Sequence, residues 1–203
     1  MIIESSFKQG SISWHKARLQ SVGSTGLSKI ITNAKCERSE SRAAYILEKA
    51  GDIISQDSKP IFQTWEMKWG HKYEPEARNL FSLANSIEIS QCAMIFSDDL
   101  KRWHISPDGF NEDIEIGLEI KCPQIKEFKR TKKANKMPTK HILQVQSSLA
   151  LTGFKSWYFM SFFPGLHPFM TRVDRDEEKI KIIKAEVRIF LRDLDKEIEE
   201  LRK

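Results

Sequence analysis

The chain has too few cysteines, spaced too far apart, to build a fold on disulfides or zinc. Cys36, Cys92 and Cys122 are odd in number and widely separated, which also argues against a four-cysteine iron–sulfur cluster and fits a reducing compartment. No run approaches the ~20 apolar residues of a membrane-spanning helix. The opening Met-Ile-Ile-Glu-Ser-Ser-Phe lacks a secretory pattern, so no membrane partner and a cytoplasmic location are expected. Internal repeats, low-complexity tracts and composition breaks are also missing. The 203 residues, 40% hydrophobic and 30% charged, therefore read as a single domain over 1–203 with a sizeable core. Acid is scarce across residues 121–140, where eight Lys or Arg stand against the single Glu127. With a net charge of +5 and a pI near 9.0, the chain is permissive of a polyanionic partner.

What is present is organised around residues 106–122. Pro107 and Gly109 mark a turn around Asp108. Residues 114–121 alternate as a strand does, which predicts Leu118 and Ile120 on one face and Glu119 and Lys121 on the other. A strand paired back on this one brings Asp108 close to Glu119, so two carboxylates converge beside an ammonium. Such oxygens suit a hard divalent cation, and the lysine can orient or deprotonate an attacking water. The same charges also fit an exposed hairpin. The basic run that follows reads alone as a solvated loop, and beside these carboxylates as a phosphate-binding flap.

Residues 13–20 read as a short helix capped by Ser13, with Trp14 and Arg18 on one face. The small-residue turn Gly23-Ser24-Thr25-Gly26 leads into a second helix through Leu27, Ile30 and Ile31. Such a turn can hold a phosphate or act as a simple cap, and Arg18 nearby raises the phosphate reading. A third helix begins at Ser39 and ends near Gly51, with a loop over 52–62. Residues 63–85 are helical, and Pro75 predicts a kink or break at Glu74. Weak strands follow at 87–90 and 93–97. A helix runs from 137 to about 151, closed by Gly153 and containing Gln144 and Gln146; strands are expected at 157–163 and 168–173. Residues 177–202 form an amphipathic helix. The expected fold is α/β of the α+β type, with a central mixed sheet carrying the carboxylates and helices flanking it.

Five separated signals occur in one order: Trp14-X-X-X-Arg18, Trp69-Gly70-X-X-Tyr73-Glu74, Ser106-Pro107-Asp108-Gly109, Leu118-Glu119-Ile120-Lys121-Cys122-Pro123 and Gln144-Val145-Gln146. Together, over roughly 12–175, they resemble the phage lambda exonuclease family, the YqaJ-like viral recombinases of the PD-(D/E)XK nuclease superfamily. The resemblance implies a restriction-endonuclease-like core and a Mg2+-dependent 5′-to-3′ exonuclease on linear double-stranded DNA, with Mn2+ able to substitute. It further implies a ring-shaped homotrimer that leaves a 3′ single strand for a single-strand annealing protein in recombination. By the same resemblance, Asp108, Glu119, the main-chain carbonyl of Ile120 and Glu74 hold the metal. Lys121 positions the water, and Gln146 (alternatively Gln144) is the active-site glutamine. Arg18, with Thr25 or Ser24 and with Ser106, takes the 5′-phosphate of the DNA end, and Met67 falls at the wedge that splits the terminal base pair. An endonuclease of restriction or repair type and a catalytically silent DNA-end-binding module are the alternatives.

Overall fold

The computed structural model describes residues 1–57, 64–98 and 100–203. Two four-stranded sheets carry the molecule. In the first, β1 (Ile2–Glu4), β3 (Met94–Phe96), β4 (Trp103–Ile105) and β2 (Val22–Gly23) lie in the order β1-β3-β4-β2, with only the β4–β2 pair parallel. The second runs β5 (Gly109–Asn111), β6 (Ile116–Lys121), β7 (Ser156–Ser161) and β8 (Phe169–Asp174), with β6 and β7 parallel and the outer pairs antiparallel. The mixed sheet expected from the sequence is thus divided in two. A single bridge from Ser90 to Phe110 is all that forms where a strand was expected at 87–90.

The parallel β6–β7 pair needs a crossover, and α4 (Ile125–Ala134) and α5 (Ile142–Thr152) supply it. The basic run is therefore mostly helix rather than flap: Phe128 and Thr131 of α4 are buried, while its lysines face outward. A 3-10 turn over Thr139–His141 precedes α5, which Gly153 closes at φ 78°, a left-handed cap position where glycine carries no Cβ penalty.

Helix α1 (Ile12–Leu19) is capped two residues earlier than the pattern implied. Ser11, in extended backbone, accepts a hydrogen bond from Trp14 N, so Ser11 and not Ser13 is the cap. The helix expected through Leu27, Ile30 and Ile31 is only a 3-10 turn, Ser24–Lys29. Its apolar side chains are fully buried, and burial rather than helical periodicity explains their spacing. Helix α2 (Arg42–Ser55) runs a full turn past Gly51; of the loop expected over 52–62, residues 58–62 lie outside the described residues. Helix α3 (Trp65–Asn85) passes through Pro75 without a break. Proline costs it one backbone hydrogen bond, and the packing of Ala77 and Phe81 holds the turn after it.

The two larger hydrophobic clusters among the described residues place most of these elements. The larger joins α2, α5 and the 3-10 turn to the long helix α6 (Glu177–Leu201), whose Ile180, Ile183, Val187, Phe190, Leu194 and Ile198 are buried. The amphipathic stripe at the C-terminus thus packs on its own chain. The smaller cluster sets Ala77 and Phe81 of α3 against Leu118 and Ile120 of β6 and Met160 of β7. That contact decides where α3 lies, and so brings Glu74 over the end of the carboxylate strand. No helix among the described residues is long and apolar enough to cross a membrane.

Candidate active site

Strand β5 folds back antiparallel on β6, with Gly109 opposite Leu118. Asp108 stands one residue beyond the end of this ladder, on the side of Glu119, so the antiparallel register brings the two carboxylates together. Asp108 Oδ2 accepts from the Ile120 backbone N–H at 2.6 Å. Glu119 is buried and forms an ion pair with Lys121 on the same face of β6. Glu74 reaches the same place from α3, where its Oε1 accepts from Arg78 Nη2 at 2.5 Å. Glu74, Asp108, Ile120 and Lys121 line one cavity of about 480 Å³, and Met67 stands on its wall.

Charge in this cleft is crowded. Burial, then Glu119 and Glu74, push the Asp108 carboxyl well above the usual carboxylate range. Burial also raises Glu74, against the pull of Arg78. Burial alone would depress the Lys121 ammonium, but Glu119 and Asp108 outweigh it and hold its pKa above the ordinary value. The carboxylates thus destabilise one another's charge, a conflict that a bound cation relieves. All candidate donors are oxygens, the chemistry Mg2+ prefers, and Ser161 Oγ is a further buried oxygen on the cavity with no hydrogen-bond partner among the described residues. Their present arrangement is not a closed cage: no three His, Cys, Asp or Glu side chains among the described residues are placed to hold a metal ion. Glu74 and Glu119 are instead turned to their basic neighbours.

Gln146 is not part of this cleft. Its Nε2 donates to Asp174 O at 2.9 Å and its Oε1 accepts from Asp176 N at 2.9 Å, so the amide ties α5 to the start of α6. This corrects the assignment read from the resemblance. Gln144 lies two residues earlier, about 200° around the helix, on the face that Gln146 does not share. Arg78 and His141, like Ser161, belong to the cleft and were not singled out in the sequence. Arg78 donates from Nε to the Asp108 carbonyl at 2.5 Å as well as to Glu74; its i,i+4 spacing from Glu74 was the available signal. His141 stacks on Phe159 at 5.4 Å, and burial with Lys121 and Lys140 nearby lowers its pKa to about 3. Nothing in its local sequence marks it.

A second cavity, of about 290 Å³, opens between α1, α2 and the 3-10 turn, and Arg18 and Thr25 line it. The Arg18 guanidinium lies 4.2 Å from the centre of the Trp14 ring, and no carboxylate among the described residues stands within ion-pair distance of it. Lys49 is buried beside it and donates to the Arg18 and Leu19 carbonyls at 3.0 and 2.7 Å, which caps the C-terminal end of α1. Burial lowers the Lys49 pKa to about 8. Ser24 is buried in the 3-10 turn and does not line the cavity, so of the two adjacent hydroxyls it is Thr25 that stands there, beside those of Ser21 and Tyr45. Ser106 also stays off the cavity wall; its Oγ accepts from Trp14 Nε1 at 3.1 Å and so bears on the ring that carries Arg18.

A family model described as the YqaJ-like viral recombinase domain matches residues 13–155. The fold is similar to an alkaline exonuclease (LHK-Exo) from Laribacter hongkongensis, at 28% identity and TM-score 0.84 over 95% of this chain and 96% of that one. The same protein in complex with dAMP matches at TM-score 0.83 over the same coverage. A phage-related exonuclease from Haemophilus somnus 129PT shares the fold at 14% identity and TM-score 0.69, over 89% of this chain and 96% of that one. No curated protein matches.

Proposed function

The chain belongs to the YqaJ-like viral recombinase family, and from that premise we propose that it is a metal-dependent deoxyribonuclease degrading linear double-stranded DNA from its 5′ ends. The observation that carries the reading is the single cavity lined by Glu74, Asp108, Ile120 and Lys121. The alkaline exonuclease similarity supports an exonuclease over an internally cutting enzyme.

Asp108, Glu119, Glu74 and the Ile120 carbonyl are the groups that would hold Mg2+, with Mn2+ as a substitute. A cation bound by these groups would supply an acidified water and offset charge on the scissile phosphate and the leaving 3′-oxygen. Lys121, held charged by Glu119 and Asp108, orients that water and faces the developing negative charge; its raised pKa favours this role over taking the water's proton. Water adds to phosphorus, the bond to the 3′-oxygen breaks, and a 5′-mononucleotide leaves. Gln144 takes the place of Gln146 as the glutamine to test. Arg18 and Thr25 receive the terminal 5′-phosphate, while Ser106 braces Trp14, and Met67 on the cleft wall separates the last base pair. A homotrimeric ring would keep the duplex enclosed, and the 3′ single strand left behind would pass to an annealing protein in recombination.

The test is a time course on linear duplex labelled at one 5′ or one 3′ end, phosphorylated or not, beside closed circular DNA, with Mg2+, with chelator and with Lys121→Ala. Early mononucleotide release from phosphorylated 5′ ends, with circles intact and the variant inert, is the expected result. Nicked circles would instead establish an endonuclease, and binding without cleavage a silent end-binding module. Arg18→Ala is expected to cut the rate preference for phosphorylated over hydroxyl ends by about 10–100-fold, the worth of a hydrogen-bonded charge pair.

A further inference from the structure

His104 of β4 is 2% exposed and lines the same cavity as Arg18. Its Nδ1 is 2.6 Å from Ser21 Oγ, and that hydroxyl also donates to the Ala17 carbonyl at 3.0 Å. A serine has one proton to give and a carbonyl can only accept. Both contacts are hydrogen bonds at once only if Nδ1 carries the imidazole proton and donates it to Ser21. Nε2 is then a bare acceptor. It is buried with no hydrogen-bond partner among the described residues, and it faces Gly23, where a Cβ would come within 2.7 Å of it. Glycine at this position lets the imidazole lie close against the β2 backbone, where the Cβ of any other residue would crowd Nε2.

A bare acceptor is an unexpected wall for a cationic cavity. Guanidinium and ammonium attract any phosphate, internal or terminal, whereas an acceptor turns away a fully ionised phosphate oxygen and takes one that carries a proton. A terminal phosphate monoester has its second ionisation near pH 6 and can bring or share such a proton; an internal diester has none to share. We propose that His104 Nε2 accepts the proton of a terminal 5′-phosphate and so lets the pocket read a strand end rather than an internal phosphate. This rests on the end-binding reading given above. One proton is taken up from solvent with the ligand and shared between a phosphate oxygen and Nε2, and no covalent bond changes.

Other groups around the imidazole bear on the sign. Burial first, and then Arg18 from α1 and Lys49 from α2, disfavour a charged imidazole and hold the His104 pKa well below its ordinary value. Phe96 of β3 covers the ring with an edge contact, centroids 6.2 Å apart. His15, Tyr45 and Asp52 also line the cavity, and the Lys29–Glu48 pair offsets its own charge at the rim. A phosphate dianion reverses the local field, so proton uptake accompanies its binding. Lys49, whose pKa burial lowers to about 8, is the competing site of proton uptake, and a variant at His104 separates the two.

The experiment is calorimetric binding of the full chain, in chelator so that nothing is cleaved, to one short duplex ending in 5′-phosphate, 5′-methyl phosphate or 5′-hydroxyl. Two buffers of different ionisation enthalpy report proton uptake between pH 6.5 and 9. The wild type is expected to bind the phosphate about tenfold tighter than the methyl phosphate near pH 7, with net proton uptake for the phosphate alone and a preference that shrinks as pH rises. His104→Gln is expected to lose both the uptake and the discrimination against the methyl ester. Equal binding of phosphate and methyl phosphate by the wild type overturns the proposal without any variant, as does unchanged uptake in a folded His104→Gln. If the wild type does not prefer phosphate over hydroxyl, the end-phosphate reading fails and takes this one with it; preference over hydroxyl without discrimination against the methyl ester overturns this one alone.

Discussion

In the cleft between α3 and β6, Glu74 and Glu119 each have a basic partner within the fold, Arg78 and Lys121. In the cavity behind α1, Arg18 and His104 Nε2 have no such partner among the described residues. The difference follows from how each side chain is held. Three carboxylates in one buried cleft repel one another, so basic neighbours offset their charge and a cation would have to compete with those partners. Arg18 is held by stacking on Trp14, and Lys49 by two helix-end carbonyls; neither needs a counter-charge to stay in place. The cleft carboxylates are held by their own basic neighbours, whereas Arg18 and Lys49 are held by a ring and by backbone carbonyls.

Removing a carboxylate tests this contrast most severely. Glu119→Ala is expected to lower the single-turnover cleavage rate by more than about 10³-fold, the several kcal/mol that a metal-held phosphate supplies. A near-normal rate would mean that the cleft charges only pair with each other. Arg78→Ala asks whether the internal partners prepare the cleft or merely fill it. If Arg78 orients Glu74 and the Asp108 turn, cleavage should fall by about 10–100-fold and divalent-ion binding by calorimetry should weaken, with partial recovery in Arg78→Lys. Unchanged ion affinity in a folded Arg78→Ala would show that Glu74 is placed by α3 alone. The smallest effect is expected outside both regions. Gln146→Ala should cost about 1–3 kcal/mol in denaturant unfolding, since it orphans the Asp174 carbonyl and the Asp176 N–H, yet leave the cleavage rate of the folded protein near wild type. Gln144→Ala should do the reverse. A stable Gln146→Ala that no longer cleaves would return that residue to the active site.

The pairing of Asp108 with Glu119 was legible because a strand has a period of two and its turn was marked by Pro107 and Gly109. The amphipathic α6 was legible for the same kind of reason: its buried stripe repeats at helical spacing. Helix α5 offered no such phase. It is buried from Val145 to Leu151, so apolar spacing could not tell the face of Gln144 from that of Gln146. Glu74 lay beside a proline that argued for a break, and packing of Ala77 and Phe81 on β6 overrode that local preference. His104 and Lys49 carried no local signal at all, because each acts through groups distant in sequence, Ser21 for one and the carbonyls of Arg18 and Leu19 for the other.

By itself the sequence determined the elements whose chemistry repeats along the chain: the carboxylate strand, the helix bearing Arg18, the closing amphipathic helix and the order of motifs that marks the family. Tertiary structure alone decided what each charge faces. The crossover through α4 and α5 sets β7 beside β6, and the small apolar cluster sets α3 across them, so Glu74 and Arg78 meet Asp108. Ser21 and Ala17 decide which nitrogen of His104 carries the proton. Periodicity is a local property that a sequence can display. Burial, protonation and partnership depend on groups brought together across the fold, and exist only once the chain has packed.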